Sequence, residues 1–170
     1  MITSSSPDES VTAFPEPGEL LLLAYRDLEV AATGDQEQVR LLGAVGALPR
    51  PWNPASCAKP RLQEELSEWL ERVAEWVNRE LCWQPADIVP NCWRQHPPLL
   101  RELALLAGRR WAAETALTSD PMEEWHRSTL PAFLARVRAD GTRCVTGHRD
   151  WPGRARDARH PIRHTDERPT

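Results

Sequence analysis

The sequence predicts an all-α protein: a compact helical bundle of three main helices, with an N-terminal helical pair and disordered tails. Apolar residues recur every three or four positions over several long stretches, which is the spacing of one face of a helix. Strand signals are absent. Six of the eight tryptophans fall between residues 69 and 125, and such large apolar side chains concentrate where a core is built.

Three segments lack the periodicity of a packed helix. Residues 1–18 are rich in serine, proline and acidic residues, which predicts disorder. Residues 49–60 contain four prolines and indicate a Pro-rich linker. Residues 141–170 hold seven arginines and three histidines against four acidic residues, which predicts an Arg-rich disordered tail.

An acidic helical pair is predicted over residues 19–48. Residues 19–32 carry an apolar stripe, and Gly34 follows them as a helix terminator. Asp35 suits the N-cap of a second, short helix. Residues 1–50 hold eight acidic residues against three arginines, so this part of the chain is negatively charged.

Residues 61–140 are predicted to form a Trp-rich helical core domain. Helix A covers about Arg61–Cys82. Helix B begins at the Pro97-Pro98 pair, because proline is tolerated in the first turn of a helix, and ends near Leu117. The core side chains expected to be largely buried are Trp69, Trp76, Leu103, Trp111, Trp125, Leu130 and Phe133.

Helix C is predicted over Pro121–Asp140. Asp120 suits its N-cap, and Glu123 can reach back to the cap amide. Pro131 lies inside the helix and predicts a kink or break near Ser128–Leu130. The inward-facing stripe is expected to be Met122, His126, Leu130, Phe133 and Val137.

Three tryptophans of the core domain, Trp69, Trp76 and Trp83, are spaced by seven residues, which is the repeat of a coiled coil. The run is barely three heptads long and tryptophan is bulky for such a seam. Packing against helices B and C is therefore favoured over homodimerisation.

Charge and hydropathy indicate which cellular location and which classes of partner to expect. A net charge of −4 gives no global positive field to attract nucleic acid. No basic stretch followed by an apolar run opens the chain, and the longest apolar run, Leu20–Ala24, is too short to span a bilayer. We expect a cytoplasmic protein that does not enter a membrane, with cysteines that are reduced or metal-bound.

Catalytic signatures are missing from the sequence. It contains no phosphate-binding loop, dinucleotide fingerprint, zinc-protease motif or nucleophile elbow. No nucleophile is paired with a base at a recognisable spacing. The sequence therefore predicts no catalytic residue and no enzyme activity.

One repeated pattern, Cys-x₃-His, carries potential metal chemistry. Its residues are Cys92, His96, Cys144 and His148. Two thiolates and two imidazoles form a common tetrahedral zinc set. However, Pro97 keeps the preceding histidine out of the helical region, and the Gly141–Gly147 stretch offers Cys144 no fixed frame. We predict no cofactor, with a structural zinc as the alternative and His126 as a substitute ligand.

The candidates for functional or interaction residues are Trp93, His96, Trp125 and His126. A lone histidine on an apolar stripe is usually a hydrogen-bonded core residue, which is the expectation for His126. In the metal-free interpretation Cys92 and His126 pack and hydrogen-bond at the helix junction, while Cys144 stays mobile.

Several short patterns occur in order along the core: W-x₆-W, CW-x-x-H-P-x-L-x-x-E-L, a tryptophan near the end of the next helix, and M-x-x-W-H-x-x-x-L-P. They are carried by Trp69, Trp76, Cys92, Trp93, His96, Pro97, Leu99, Glu102, Leu103, Trp111, Met122, Trp125, His126, Leu130 and Pro131. This arrangement over about residues 66–140 resembles the uncharacterised actinobacterial DUF4913-type proteins. That family typically has Trp-Trp where this chain has Cys92-Trp93, and often a further tryptophan near Gly108.

The resemblance implies a small helical protein of actinobacterial chromosomes, phages, and integrative or conjugative elements, with no established activity. We expect a non-enzymatic protein-interaction module, an accessory protein of a mobile or conjugative element with an unknown protein partner. The alternative is a nucleic-acid-binding accessory protein that uses its basic C-terminal tail, with or without zinc. Nucleic-acid binding would weaken steeply as the salt concentration rises, because phosphate contacts release counterions, and this would distinguish the alternative from the first expectation.

Overall fold

A computed structural model describes residues 11–141, 144, 147 and 148. Within these residues the chain forms helices and no strand, which confirms the predicted all-α class. The helices are α1 (Glu19–Thr33), α2 (Gln36–Leu42), α3 (Pro60–Glu80), α4 (Pro97–Glu114), α5 (Asp120–Glu124) and α6 (Leu130–Gly141). No described helix has both the length and the apolar character needed to cross a bilayer.

The core is built on α3, which corresponds to predicted helix A. Apolar residues three and four apart give this helix one continuous buried face, made by Leu62, Leu66, Trp69, Leu70, Val73, Ala74, Trp76 and Val77. That face packs against α1 and α4. Prolines start both α3 and α4 at the first helical turn, as predicted for α4. Trp111, expected in the core, is only partly buried.

Predicted helix C is present as α5 and α6, joined by a π-helical turn over Trp125–Thr129. This irregularity occurs where Pro131 predicted a kink or break, and the chain continues as one helix through it. The N-cap is Ser119, without a side-chain capping bond, so the prediction of Asp120 was one residue off. The placement of His126 on the inward stripe was wrong, because the π turn rotates it to the exposed side.

The first N-terminal helix, α1, is part of the same core, and α2 packs on α1. Asp35 accepts hydrogen bonds from two amides of α2, and the Gln38 side chain returns to the Asp35 amide, completing a capping box. Leu21 and Ala24 of α1 are buried. The segment predicted as a linker is also packed, since Cys57 is fully buried. Leu21 of α1 and Cys57 of the linker therefore belong to the same core cluster as α3.

Residues 11–18, which we call the N-terminal strap, lie extended along α3. Phe14 and Pro17 are buried there. The predicted disorder was wrong for this part of the 1–18 segment, while residues 1–10 lie outside the described residues. The predicted disordered tail also lies outside them, apart from residues 141, 144, 147 and 148.

Burial separates the three tryptophans with heptad spacing. Trp69 and Trp76 are buried within the chain, at 0% and 6% exposure, whereas Trp83 is 92% exposed. The first two are therefore used by the intramolecular core and do not form a surface seam. This arrangement agrees with the predicted packing of helix A against its neighbours.

Candidate metal centre

The loop between α3 and α4 is fixed by one asparagine of α3. The Asn78 side-chain amide donates to the Val89 carbonyl oxygen at 3.1 Å and accepts from the Val89 N–H at 2.8 Å. Val89 is almost fully buried. Two hydrogen bonds to one residue set both the position and the direction of the chain as it approaches Cys92.

Cys92 and His96 flank a single 3₁₀ turn, Trp93–Gln95. The Trp93 indole is buried, and its N–H donates to a carboxylate oxygen of Glu71 at 3.2 Å. This anchored turn places Cys92 Sγ 3.3 Å from His96 Nε2. The two residues therefore meet without sharing a helical face, although His96 lies outside α4 as Pro97 predicts.

The end of α6 reaches the same loop. Its residues Phe133, Leu134 and Val137 are buried in the core, and Arg138 forms an ion pair with Asp87 of the loop. That hydrogen-bonded ion pair holds the pKa of the Asp87 carboxyl below its usual range. Asp87 is itself 1% exposed. The C-terminal part of α6 thereby lies against the α3–α4 loop.

The second Cys-x₃-His pair comes to meet the first. Cys144 Sγ lies 3.3 Å from His96 Nε2, and the His148 ring lies edge-on to that of His96, with centroids 4.9 Å apart. Gly147 donates its N–H to the Cys144 carbonyl oxygen at 3.3 Å and has φ of 137°. Glycine adopts such a positive φ without steric cost, so Gly147 allows the turn between the two ligands.

The potential ligand atoms of all four residues lie within 4.8 Å of one another. Zinc–sulfur and zinc–nitrogen bond lengths imply separations of about 3.6 Å between sulfur and nitrogen in a tetrahedral site, and about 3.8 Å between sulfurs. The two thiol–His96 distances of 3.3 Å lie near this geometry, and separations as wide as 4.8 Å would have to shorten for all four residues to bind one ion. Cys144 lies beside His96 in this arrangement, and its expected mobility stays a prediction.

The electrostatics of the cluster favour the neutral form of the Cys92 thiol. Burial raises the pKa of the Cys92 thiol, and the adjacent Cys144 raises it further. A bound divalent cation would remove those protons, since thiolates are the ligating form.

The other two cysteines, Cys57 and Cys82, lie outside this cluster. Burial raises the pKa of Cys82 to about 11, and its thiol donates to the Asp87 carbonyl oxygen, while Cys57 is buried in the turn before α3.

The remaining candidate residues divide between core and surface. Trp93 and Trp125 are each 1% exposed and serve packing. His126 is exposed and lies edge-on to Trp125, with centroids 5.0 Å apart. Its pKa is lowered by partial desolvation and by nearby Arg110.

Sequence reasoning missed two exposed apolar side chains of the α3–α4 loop. Trp83 is fully accessible and Ile88 is 49% exposed. Ile88 also lines an open cavity of about 650 Å³ together with Cys92, Cys144 and His148. The sequence offered one signal for the exposure of Trp83, which is that the seven-residue spacing of tryptophans ends there.

Comparisons with protein-family models, with curated proteins and with solved structures found no match.

Proposed function

We propose that this protein is a non-enzymatic protein-interaction module stabilised by one structural zinc ion. The observation that carries the proposal is the convergence of two thiols and two imidazoles within 4.8 Å. Four protein ligands complete a tetrahedral coordination sphere, whereas catalytic zinc sites keep one position for water or substrate. The zinc holds the fold together and performs no reaction.

The proposed zinc joins parts of the chain that are far apart in sequence. His96 and Cys144 are separated by 48 residues. Coordination would fasten the segment after α6 to the turn before α4 and hold the α3–α4 loop, including exposed Trp83 and Ile88, in one arrangement. A rigid loop that presents apolar side chains suits the recognition of another protein.

The biological setting rests on the sequence resemblance alone. We place the protein in the cytoplasm, as an accessory protein of an actinobacterial mobile or conjugative element. The seven arginines of residues 141–170 support one alternative, nucleic-acid binding through the tail. In that alternative the zinc would hold the start of the tail against the helical core.

Metal content tests the zinc site. Protein purified under reducing conditions should contain one zinc per chain by elemental analysis, and cobalt substitution should give the visible absorption of a tetrahedral thiolate site. Cys92→Ser and Cys144→Ser should each lose the metal. Cys57→Ser is the matched control and should keep it, because this thiol belongs to a different turn. A folded wild-type protein that takes up neither ion would overturn the zinc site.

The interaction role needs a separate measurement. The metal-loaded chain should retain a protein partner from its host lysate after nuclease treatment, and retention should change little with salt. Loss of all partners on nuclease treatment, or a steep decline with salt, would favour the nucleic-acid alternative.

A further inference from the structure

The N-terminal strap is held on α3 mainly through its own backbone. The indole N–H groups of Trp69 and Trp76 donate to the carbonyl oxygens of Pro15 and Thr12 at 2.9 and 2.8 Å. Between them Arg72 donates to the Glu16 carbonyl oxygen at 2.9 Å. The three donors are spaced by three and four residues, so they form one row along the helix.

One side chain of the strap enters a pocket with aromatic walls. Phe14 is 7% exposed and packs edge-on against Trp69 and Trp76, with ring centroids 6.4 and 5.2 Å apart. The Arg110 guanidinium lies 5.2 Å from the Phe14 ring centre and also faces the rings of Trp76 and Trp125. Edge-to-face aromatic contacts and a cation over the ring select an aromatic side chain at this position.

The prolines of the strap favour its extended backbone conformation. Pro15 and Pro17 favour an extended backbone, and Pro17 is the second buried side chain of the strap. Other strap side chains, such as Val11 at 83% exposure, point away from the protein. The contacts therefore require an extended chain, one aromatic residue and flanking prolines.

We propose that this surface of α3 and α4, the strap groove, is a peptide-binding groove that takes an extended, proline-containing segment of a partner protein. The partner segment places an aromatic residue in the Phe14 pocket, and the protein's own strap occupies the groove in competition with it. This proposal rests on the proposed interaction role and names the partner's chemistry. The strap itself binds the groove in this way. The donors of α3 bind backbone carbonyl oxygens, which any extended segment offers.

The test uses the full-length chain and a fluorescein-labelled peptide with the sequence of residues 11–18. Anisotropy titrations compare wild type with Phe14→Ala, whose strap has lost its aromatic anchor. We expect Phe14→Ala to bind the peptide at least about tenfold more tightly, because a strap seated more than about nine-tenths of the time raises the apparent Kd by that factor. An unlabelled peptide with alanine in place of phenylalanine should not compete.

A second substitution locates the binding surface. In the Phe14→Ala background, Trp76→Phe keeps an aromatic wall but removes the donor to the Thr12 carbonyl, and should weaken peptide binding about three- to tenfold. Trp52→Phe is the matched control and should leave binding unchanged, since that side chain packs on Tyr25, outside the groove. Equal effects of the two substitutions would overturn the proposal.

Photo-crosslinking keeps the test decisive if Phe14→Ala does not fold. Wild-type protein is irradiated with the peptide carrying benzoylphenylalanine at its aromatic position, and attachment to α3 is expected. Absence of both saturable binding and crosslinking would overturn the proposal. Zinc content and nuclease-resistant partner retention are measured on the same preparations. A chain that passes both but binds no peptide would refute the groove and leave the proposed function standing.

Discussion

Trp125 and Leu130 are five residues apart, and both are buried in the core, at 1% and 8% exposure. The Leu130 N–H donates to the Trp125 carbonyl oxygen, which is the hydrogen bond of a π-helical turn. The additional residue in this turn changes which side chains of the helix point into the core. Trp125 takes the inward position that an uninterrupted α-helical stripe assigns to His126.

The first prediction compares these neighbours by substitution. Trp125→Ala should lower the free energy of unfolding by about 3–5 kcal/mol, because it removes a buried indole and opens a cavity. The indole also donates to the Leu106 carbonyl oxygen at 3.1 Å. His126→Ala should change stability by no more than about 0.5 kcal/mol, as expected for an exposed position. Urea unfolding of both variants measures the difference, and comparable losses would contradict the π-turn register.

This pair also shows why sequence periodicity predicted the helices better than their faces. The intervals of three and four residues in α3 and α4 reflect a regular hydrogen-bonding pattern, so their buried faces were largely predictable. A π turn inserts one residue without a composition signal. Pro131 indicated an irregularity there but not its type, and the assignment of His126 to the core failed for that reason.

The second prediction concerns Asn78, the asparagine that fixes the loop bearing Cys92. Asn78→Ala leaves the buried N–H and C=O of Val89 without their side-chain partner, which should cost about 1–3 kcal/mol. The loop bearing Cys92 should then be less well positioned, so zinc affinity should fall as well. Asn78→Asp retains the acceptor for the Val89 N–H and should lie between wild type and Asn78→Ala. Metal competition titrations and denaturant unfolding measure both effects. Unchanged zinc affinity in Asn78→Ala would show that the loop does not depend on this contact.

The third prediction is a pH dependence that arises from Asp87. The hydrogen-bonded Arg138 keeps the pKa of this carboxyl below its usual range in the folded protein. The resulting stabilisation is fully present above the unfolded pKa of about 3.9 and is lost as pH falls through the lower folded pKa. Asp87→Asn should therefore be less stable than wild type near neutral pH, and the difference should shrink below about pH 4. Thermal unfolding across this range measures it, and a gap that widens on acidification would contradict the assignment.

The candidate metal centre was only partly predictable. The two Cys-x₃-His pairs identified the four residues that converge, but local sequence features argued against their meeting. Their convergence depends on contacts distant in sequence: Asn78 with Val89, and Asp87 with Arg138. The N-terminal strap was missed for a similar reason. Its composition predicts disorder by itself, and its order comes from the row of donors on α3.

The fourth prediction is that zinc removal destabilises the protein through Cys144. An ion that binds the folded chain alone adds stability that grows with its free concentration, by about 4 kcal/mol when free zinc is a thousandfold above its Kd. A strong chelator should therefore lower the melting temperature of wild type and of Cys57→Ser. Cys144→Ser should have a lower melting temperature than wild type without chelator and should respond little to the chelator, because its site lacks one ligand. Differential scanning fluorimetry with and without chelator makes the comparison. A Cys144→Ser variant that binds zinc stoichiometrically and responds to the chelator like wild type would remove this cysteine from the site.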